Sequence, residues 1–138
     1  MASVLNAENY DVVLARTGRE AVAKFLAGPP DLVLLDIHMP EKNGWDVFDF
    51  IVAFQRVMPF IVISGQPEEY RRAVGFGIDA FMEKPLDLPL LLQAISDLLA
   101  ESEHDRLARL TDRDFKTAYL GAEHETQAAS LQPQNLAW

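Results

Sequence analysis

The sequence contains no cysteine, which excludes disulfide bonds and metal sites built from thiolates. It has no apolar run approaching the roughly 20 residues that a membrane-spanning helix needs. Residues 1–11 also lack the basic start and apolar core of a signal peptide. We therefore expect a cytoplasmic protein that makes no use of a membrane.

Basic residues are scarce and scattered. The 138-residue chain has 12 Lys and Arg against 21 Asp and Glu, a formal net charge of −9. Arg71 and Arg72 form the only adjacent basic pair. Because a nucleic-acid surface needs clustered basic side chains, we expect no direct nucleic-acid binding. Hydrophobic residues make up 49% of the chain, enough for one sizeable core.

Four short apolar segments predict strands at residues 11–15, 31–36, 60–64 and 80–83. Continuous apolar runs are typical of strands buried on both faces of a parallel sheet. Apolar residues at helical spacing lie between the segments and after the last of them. They predict a helix ending near Gly28, one following Gly44, and two more over 67–76 and 87–101. This alternation predicts an α/β protein with a doubly wound parallel sheet.

The character of the sequence changes after Glu101: Leu107 and Leu110 lie on a possible helix, and Gly121, Gln and Ser residues and Pro133 follow. We therefore predict a domain over residues 1–101 and a C-terminal tail or linker over 102–138, partly helical or disordered. The tail could serve as an output element, but its 37 residues are few for a DNA-binding domain. A linker or a segment that docks on a partner is the favoured interpretation.

Three of the predicted strands end at polar residues of different kinds: Asp36, Ser64 and Lys84. Carboxyl ends of parallel strands meet at one edge of a sheet, where ligands bind. A carboxylate there can attack phosphorus and form an acyl phosphate, while an ammonium and a hydroxyl bind the phosphoryl oxygens. Each residue alone has an ordinary structural explanation. Their joint occurrence at equivalent strand ends favours phosphoryl transfer to Asp36.

The sequence around these residues resembles the receiver domain of response regulators in two-component signal transduction. Residues 30–44 (PDLVLLDIHMPEKNG) resemble the family's phospho-acceptor motif, residues 63–65 its hydroxyl position, and residues 77–85 its lysine–proline motif. The resemblance covers about Asn9 to Ala100. It implies a flavodoxin-like receiver fold with the first strand missing, in a bacterial phosphorelay protein that is not an enzyme.

By that resemblance Asp36 is the phospho-acceptor, and Ser64 and Lys84 complete the catalytic set. Ser64 also belongs to the switch, where its hydroxyl signals occupancy. Phe81 matches the aromatic position whose rotamer reports phosphorylation. Pro85 is expected to follow a cis peptide, which is favourable mainly before proline.

The resemblance further implies Mg²⁺ as cofactor, bound by Asp36 and the backbone carbonyl of His38. Receivers supply the remaining ligands from an acidic pair after an N-terminal strand, and this sequence has neither the strand nor the pair. Glu8 and Asp11 lie at the opposite end of the predicted sheet and cannot replace it. Because Mg²⁺ demands six oxygens, we expect weak metal binding and slow or absent phosphorylation.

The missing strand leaves two arrangements for residues 12–14, which either pair directly with 32–35 or leave the sheet. A covering partner, strand exchange or a homodimer would each protect the exposed surface. The chain is either a truncated ordinary receiver, which the three intact motifs favour, or a divergent receiver that has lost metal-dependent phosphorylation.

Three functions remain as alternatives. In the first, a histidine kinase or phosphotransfer protein phosphorylates Asp36, and the face formed by residues 67–100 changes its affinity for an output partner. In the second, the chain is a phosphorylation-independent pseudo-receiver that binds partners, or an inactive truncated fragment. The third, a small-molecule enzyme, is disfavoured because the sequence has no Gly-rich phosphate loop.

Overall fold

A computed structural model describes residues 2–39, 42–54, 58–112 and 114–120 of the chain. The helices are α1 (Ala2–Ala7), α2 (Gly18–Ala27), α3 (Gly44–Phe54), α4 (Glu69–Phe76), α5 (Leu88–Ala100) and α6 (Glu103–Leu110). The strands are β1 (Val33–Asp36), β2 (His38–Met39), β3 (Lys42–Asn43), β4 (Phe60–Ser64), β5 (Ala80–Glu83) and β6 (Ala118–Leu120). None of the described helices has both the length and the apolar character needed to cross a membrane.

The main sheet has four parallel strands in the order β1-β4-β5-β6. Every residue of β4 is buried, as its continuous apolar sequence requires. β2 and β3 form a separate antiparallel pair that follows the end of β1. The predicted α/β architecture with a parallel sheet is confirmed, and so are the strands predicted within 31–36 and at 60–64 and 80–83.

Helices cover both faces of the sheet. On one face α2, α3 and α4 pack against β1, β4 and β5, and Phe25, Phe48 and Ala73 belong to this core. On the other face α1 and α5 pack against the alternate strand residues through Leu5 and Leu91. The sheet is therefore doubly wound, as predicted.

Capping residues place the helix ends close to their predicted positions. The side chain of Thr17 accepts a hydrogen bond from the backbone N–H of Glu20 at the start of α2. Asp87 does the same for Leu90 at the start of α5, at 3.1 Å. Gly77 ends α4 with a φ of 73°, a left-handed conformation that glycine adopts without strain.

The strand predicted at residues 11–15 is wrong. This segment has no regular secondary structure, and the side chains of Val13 and Leu14 are 64% and 55% exposed. Of the two arrangements expected, the segment has left the sheet. β1 is consequently an edge strand of the described sheet. Apolar sequence alone does not make a strand, because its backbone N–H and C=O groups also need a neighbouring ladder.

The first part of the segment after Glu101 contains the helix α6 and the strand β6. Ser102 caps α6, and β6 then pairs in parallel with the outer edge of β5. The register begins with Ala80 opposite Ala118, whose N–H donates to the carbonyl of Asp79 at 3.0 Å. β6 therefore extends the main sheet by one strand. Residues 121–138 of the predicted tail lie outside the described residues.

A buried ionic cluster holds α6 at the amino end of the sheet. Asp79 is 1% exposed and accepts hydrogen bonds from Arg106 (2.5 Å), Arg109 (2.9 Å) and the backbone N–H of Phe60 (2.9 Å). Arg109 also binds Glu101 at 2.8 Å. Buried charges need this degree of pairing to offset their lost hydration. The cluster fixes α6 and thereby brings β6 beside β5.

Candidate functional site

Three strand ends bring the predicted site residues to one edge of the sheet. β1 ends at Asp36, which is opposite Ile63, and β4 ends at Ser64, which is opposite Glu83. Lys84 follows β5 directly, and its backbone N–H donates to the carbonyl of Ser64 at 2.9 Å. The structure thus brings Asp36, Ser64 and Lys84 together at the carboxyl edge of the sheet.

Asp36 and Lys84 form an ion pair that solvent can reach. Lys84 Nζ donates to Asp36 Oδ2 at 2.8 Å, and the two side chains are 34% (Asp36) and 43% (Lys84) exposed. Such an exposed pair contributes little to stability, because water competes for both charges. It does hold an ammonium beside an accessible carboxylate. A reactant that approaches this carboxylate therefore also comes close to the ammonium group of Lys84.

The Ser64 side chain is engaged by the loop that follows it. Its Oγ accepts a hydrogen bond from the backbone N–H of Gln66 at 3.0 Å and donates to the carbonyl of the same residue at 3.4 Å. Ser64 itself is fully buried. The loop leads directly into α4. A rotation of this hydroxyl would therefore break its bonds to Gln66 and change the position of the residues that precede that helix.

Gly44 closes the loop after Asp36 through a close backbone approach. Its N–H donates to the carbonyl of Ile37 at 3.3 Å. A Cβ at this position would lie 2.9 Å from Ile37 Cα and 3.0 Å from the carbonyl oxygen of Asp36. Only glycine fits without displacing the backbone of the candidate acceptor. His38 lies in β2, between Ile37 and Gly44 in the sequence, and is paired with Asn43 of β3. Residues 40 and 41 of the phospho-acceptor motif lie outside the described residues.

Phe81 is fully buried between two tyrosine rings. Its ring centroid lies 5.7 Å from that of Tyr70 on α4 and 5.6 Å from that of Tyr119 on β6. Burial raises the pKa of Tyr70 above its usual value, which favours the protonated hydroxyl. The peptide between Lys84 and Pro85 is cis, as the resemblance implied.

Sequence reasoning missed Tyr70 and Tyr119 as neighbours of this region. Tyr70 lies in a helix recognised from its apolar spacing, but nothing in that spacing indicates a contact with the tail. Tyr119 reaches Phe81 only because β6 pairs with β5. The one available signal was the short apolar stretch Ala118–Leu120 after a strongly charged helix.

Among the described residues, the acidic side chains do not complete a magnesium site. In the described part of the chain, no three His, Cys, Asp or Glu side chains cluster in a way that could hold a metal ion. Asp36 is a single carboxylate that is already bound to Lys84. Mg²⁺ prefers near-octahedral oxygen coordination and gives up its waters reluctantly. Receiver domains typically bind Mg²⁺, and the described residues lack the donors for that role.

Comparison with known proteins identifies the family. The family model for the response regulator receiver domain matches residues 1–96, and the chain belongs to this family. The chain is 35% identical over 116 residues to the transcriptional regulatory protein GlrR of Escherichia coli, a match covering 83% of this chain and 25% of that protein. It is 37% identical over 87 residues to the chemotaxis protein CheY of Halobacterium salinarum, covering 62% of this chain and 72% of that protein.

Solved structures agree with this assignment. The receiver domain of NtrX from Brucella abortus superposes with a TM-score of 0.68 at 28% sequence identity, covering 73% of this chain and 88% of that domain. The flavodoxin-like receiver fold predicted from the sequence is therefore confirmed, and the chain is a receiver of two-component systems. Receiver domains are signalling modules.

The chain spans only part of the transcriptional regulators that it matches. It covers 25% of GlrR and 40% of the transcriptional regulatory protein TrcR of Mycobacterium tuberculosis. The outputs of those longer proteins therefore do not transfer to this chain. The match to GlrR covers 83% of the 138 residues, so it necessarily continues past residue 101.

Proposed function

We propose that this chain accepts a phosphoryl group on Asp36 from a phosphorylated histidine of a histidine kinase or phosphotransfer protein. The observation that carries the proposal is the exposed ion pair of Asp36 with Lys84, 2.8 Å apart at the carboxyl edge of the sheet. Both charges that the transfer needs are adjacent there, and solvent reaches both. We propose that this exchange takes place in the cytoplasm.

The transfer assigns one role to each site residue. An oxygen of the Asp36 carboxylate attacks phosphorus, so that an O–P bond forms while the N–P bond of the donor phosphohistidine breaks. The electron pair stays on the imidazole nitrogen, which takes a proton from solvent. Lys84 passes from the carboxylate to the phosphoryl oxygens, where negative charge is now greatest. The hydroxyl of Ser64 leaves Gln66 and donates to another phosphoryl oxygen.

These new contacts would shift the population between two packings of the domain. Phe81, Pro85 and the start of α4 are the elements next to Ser64 and Lys84. An output partner would then bind the face formed by residues 67–100. Its β5 edge is covered by β6, so the accessible part of this face consists of α4 and α5. Val74 and Phe76 expose 44% and 41% of their surface there.

Incubation with acetyl phosphate and Mg²⁺, followed by intact-mass measurement, tests the proposal. We expect the mass of one phosphoryl group on the parent chain and none on Asp36→Asn. The exposed Asp31 precedes the same strand, so Asp31→Asn is the matched control and should be phosphorylated like the parent. Lys84→Ala should slow the gain about a hundredfold, since it removes one charged donor from the transition state. Phosphorylation of Asp36→Asn would contradict the proposal.

A second candidate is a phosphorylation-independent module that binds partners through the same face. No metal-binding cluster lies among the residues described, and this favours the second candidate. It predicts no mass gain in a parent sample that unfolds cooperatively. A phosphoryl group on Asp36 would exclude it.

A further inference from the structure

The outer edge of β5 is filled by the chain's own C-terminal strand. β6 contributes three residues to the ladder, in which Ala118, Tyr119 and Leu120 lie opposite Ala80, Phe81 and Met82. All three are buried, and so is the preceding Thr117. A free strand edge accepts extended segments through its unpaired backbone groups. Residues 117–120 therefore sit on β5 in the way that an added peptide strand would.

Side-chain hydroxyls secure this segment from two elements. Tyr70 Oη on α4 donates to the carbonyl of Thr117 at 3.0 Å. Tyr119 Oη donates to Glu83 Oε2 at 2.5 Å. Glu83 lies opposite Ser64 and precedes Lys84. Docking of the segment therefore depends on the position of α4 and on the end of β5, both of which adjoin the Asp36 edge.

The aromatic rings provide a second connection. Phe81, Tyr70 and Tyr119 pack in mutual contact, with a centroid separation of 4.9 Å between the two tyrosines. Phe81 has no exposed surface. In a close-packed interior a ring cannot change rotamer without displacing its neighbours. Any movement of Phe81 must therefore displace the ring of Tyr119 on β6 or the ring of Tyr70 on α4.

We propose that the outer edge of β5 is a strand-binding site, that the chain's own segment 117–120 is its occupant, and that this docking is coupled to the Ser64–Gln66 turn at the Asp36 edge. The segment is docked while Ser64 is bonded to Gln66. It loosens when Ser64 and Phe81 rearrange around a phosphorylated Asp36, a trigger that rests on the proposed function. The strand site and its coupling to the turn do not require phosphorylation.

Because α6 is anchored separately, residues 117–120 can leave the edge of β5 while α6 stays in place. The ionic cluster around Asp79 holds α6 at the opposite end of the sheet, and residues 111–116 connect this helix to the segment. Six residues reach about 20 Å when extended, enough for the segment to leave the edge while α6 stays in place. The vacated edge would accept an extended segment that presents a tyrosine to Phe81 and Glu83.

Hydrogen–deuterium exchange of the full chain tests the docking and its coupling. Tyr119→Phe and Tyr70→Phe each remove one hydroxyl contact, so amide exchange in residues 117–120 should rise about twofold to tenfold. Because coupling is reciprocal, Tyr119→Phe should also speed exchange in residues 64–70. Tyr10→Phe, which alters the remaining tyrosine on the opposite face of the sheet, is the control and should leave both regions unchanged.

Two results would overturn the inference. Unchanged exchange in 117–120 in both variants would show that the hydroxyls do not hold the segment. Faster exchange in 117–120 with unchanged 64–70 would show docking without coupling. Neither result depends on whether Asp36 can be phosphorylated.

A disulfide lock tests the trigger in the same chain, which has no native cysteine. Ala80→Cys with Ala118→Cys places two thiols on directly opposed residues, at a separation that a disulfide spans. The oxidised protein should gain phosphate from acetyl phosphate several-fold more slowly than the same protein reduced. Equal rates would overturn the coupling. Absence of phosphate on both the reduced protein and the parent would instead contradict the proposed function, and the exchange experiment would then decide the inference.

Discussion

At the residue scale, the geometry around Asp36 depends on a glycine. Gly44 lies against the backbone of Ile37 and Asp36, where a side chain has no room. The backbone at Asp36 is thus positioned partly by a residue that has no side chain. The resemblance placed a glycine at this position, and the structure supplies the steric reason.

Gly44→Ala should destabilise the fold and displace the backbone next to Asp36. The added Cβ would lie 2.9 Å from Ile37 Cα, so the loop or the end of β1 must shift. We expect a loss of about 2 kcal/mol in the free energy of unfolding, as for an overpacked core site. Urea denaturation measures it. Gly75→Ala, where no atom lies within 4 Å of the added Cβ, is the control and should be neutral or slightly stabilising.

A second residue-scale prediction concerns Glu101. The hydrogen bond from Arg109 lowers the pKa of the Glu101 carboxyl, outweighing the opposite effect of burial. A lowered folded-state pKa stabilises the protein above the unfolded-state pKa, and this stabilisation is lost as the pH falls through the folded-state value. Glu101→Gln should therefore destabilise the chain more at pH near 7 than at pH near 3.

Urea denaturation at both pH values measures this difference. Glu103→Gln changes an exposed carboxylate two residues away and should show little difference between the two pH values. A Glu101→Gln cost that is equal at both pH values would contradict a role for the ionised carboxylate.

At the element scale, apolar patterning identified the strands that are buried on both faces of the sheet. β4 and β5 have their predicted bounds, because continuous apolar runs of this length are buried on both faces of the sheet. The convergence of Asp36, Ser64 and Lys84 followed from the same reasoning, since all three stand at carboxyl ends of strands. Their placement at one edge of the sheet could be predicted from strand direction alone.

Apolar patterning does not predict segments whose structure depends on whether a neighbouring strand is present to pair with them. Residues 11–15 have the composition of a strand but no ladder to join, and they lie outside the sheet. β6 has only three residues, too few for a periodic signal, yet it is fully buried beside β5. Tyr119 therefore entered the surroundings of Phe81 through a tertiary contact that local sequence does not encode.

The anchoring of α6 gives a prediction at this scale. Asp79→Asn removes the charge that two arginines share while Arg106 remains 4% exposed. Leaving a buried charge without its partner costs about 3–5 kcal/mol, so we expect a loss of this size in the free energy of unfolding. Chemical denaturation measures it, with Asp49→Asn on the exposed side of α3 as the control. A loss below 1 kcal/mol would show that the cluster does not anchor the helix.

At the scale of the whole molecule, the two ends of the sheet have different roles. The carboxyl edge holds the exposed ion pair of Asp36 and Lys84, where we propose that a phosphoryl group is received. The amino edge holds a buried ion cluster that fastens α6. β6 runs along the side of the sheet, between the helix that the cluster fixes and the strand end next to Lys84. In the proposed function, β6 therefore covers one edge of the face that binds the output partner.

The location of the phosphoryl group tests the central claim most directly. The chain is treated with acetyl phosphate and then with borohydride, which reduces an aspartyl phosphate to homoserine, and the peptides are sequenced by tandem mass spectrometry. The account predicts homoserine at position 36 and at no other aspartate. Unmodified Asp36 in a folded sample, or homoserine at a different position, would contradict it.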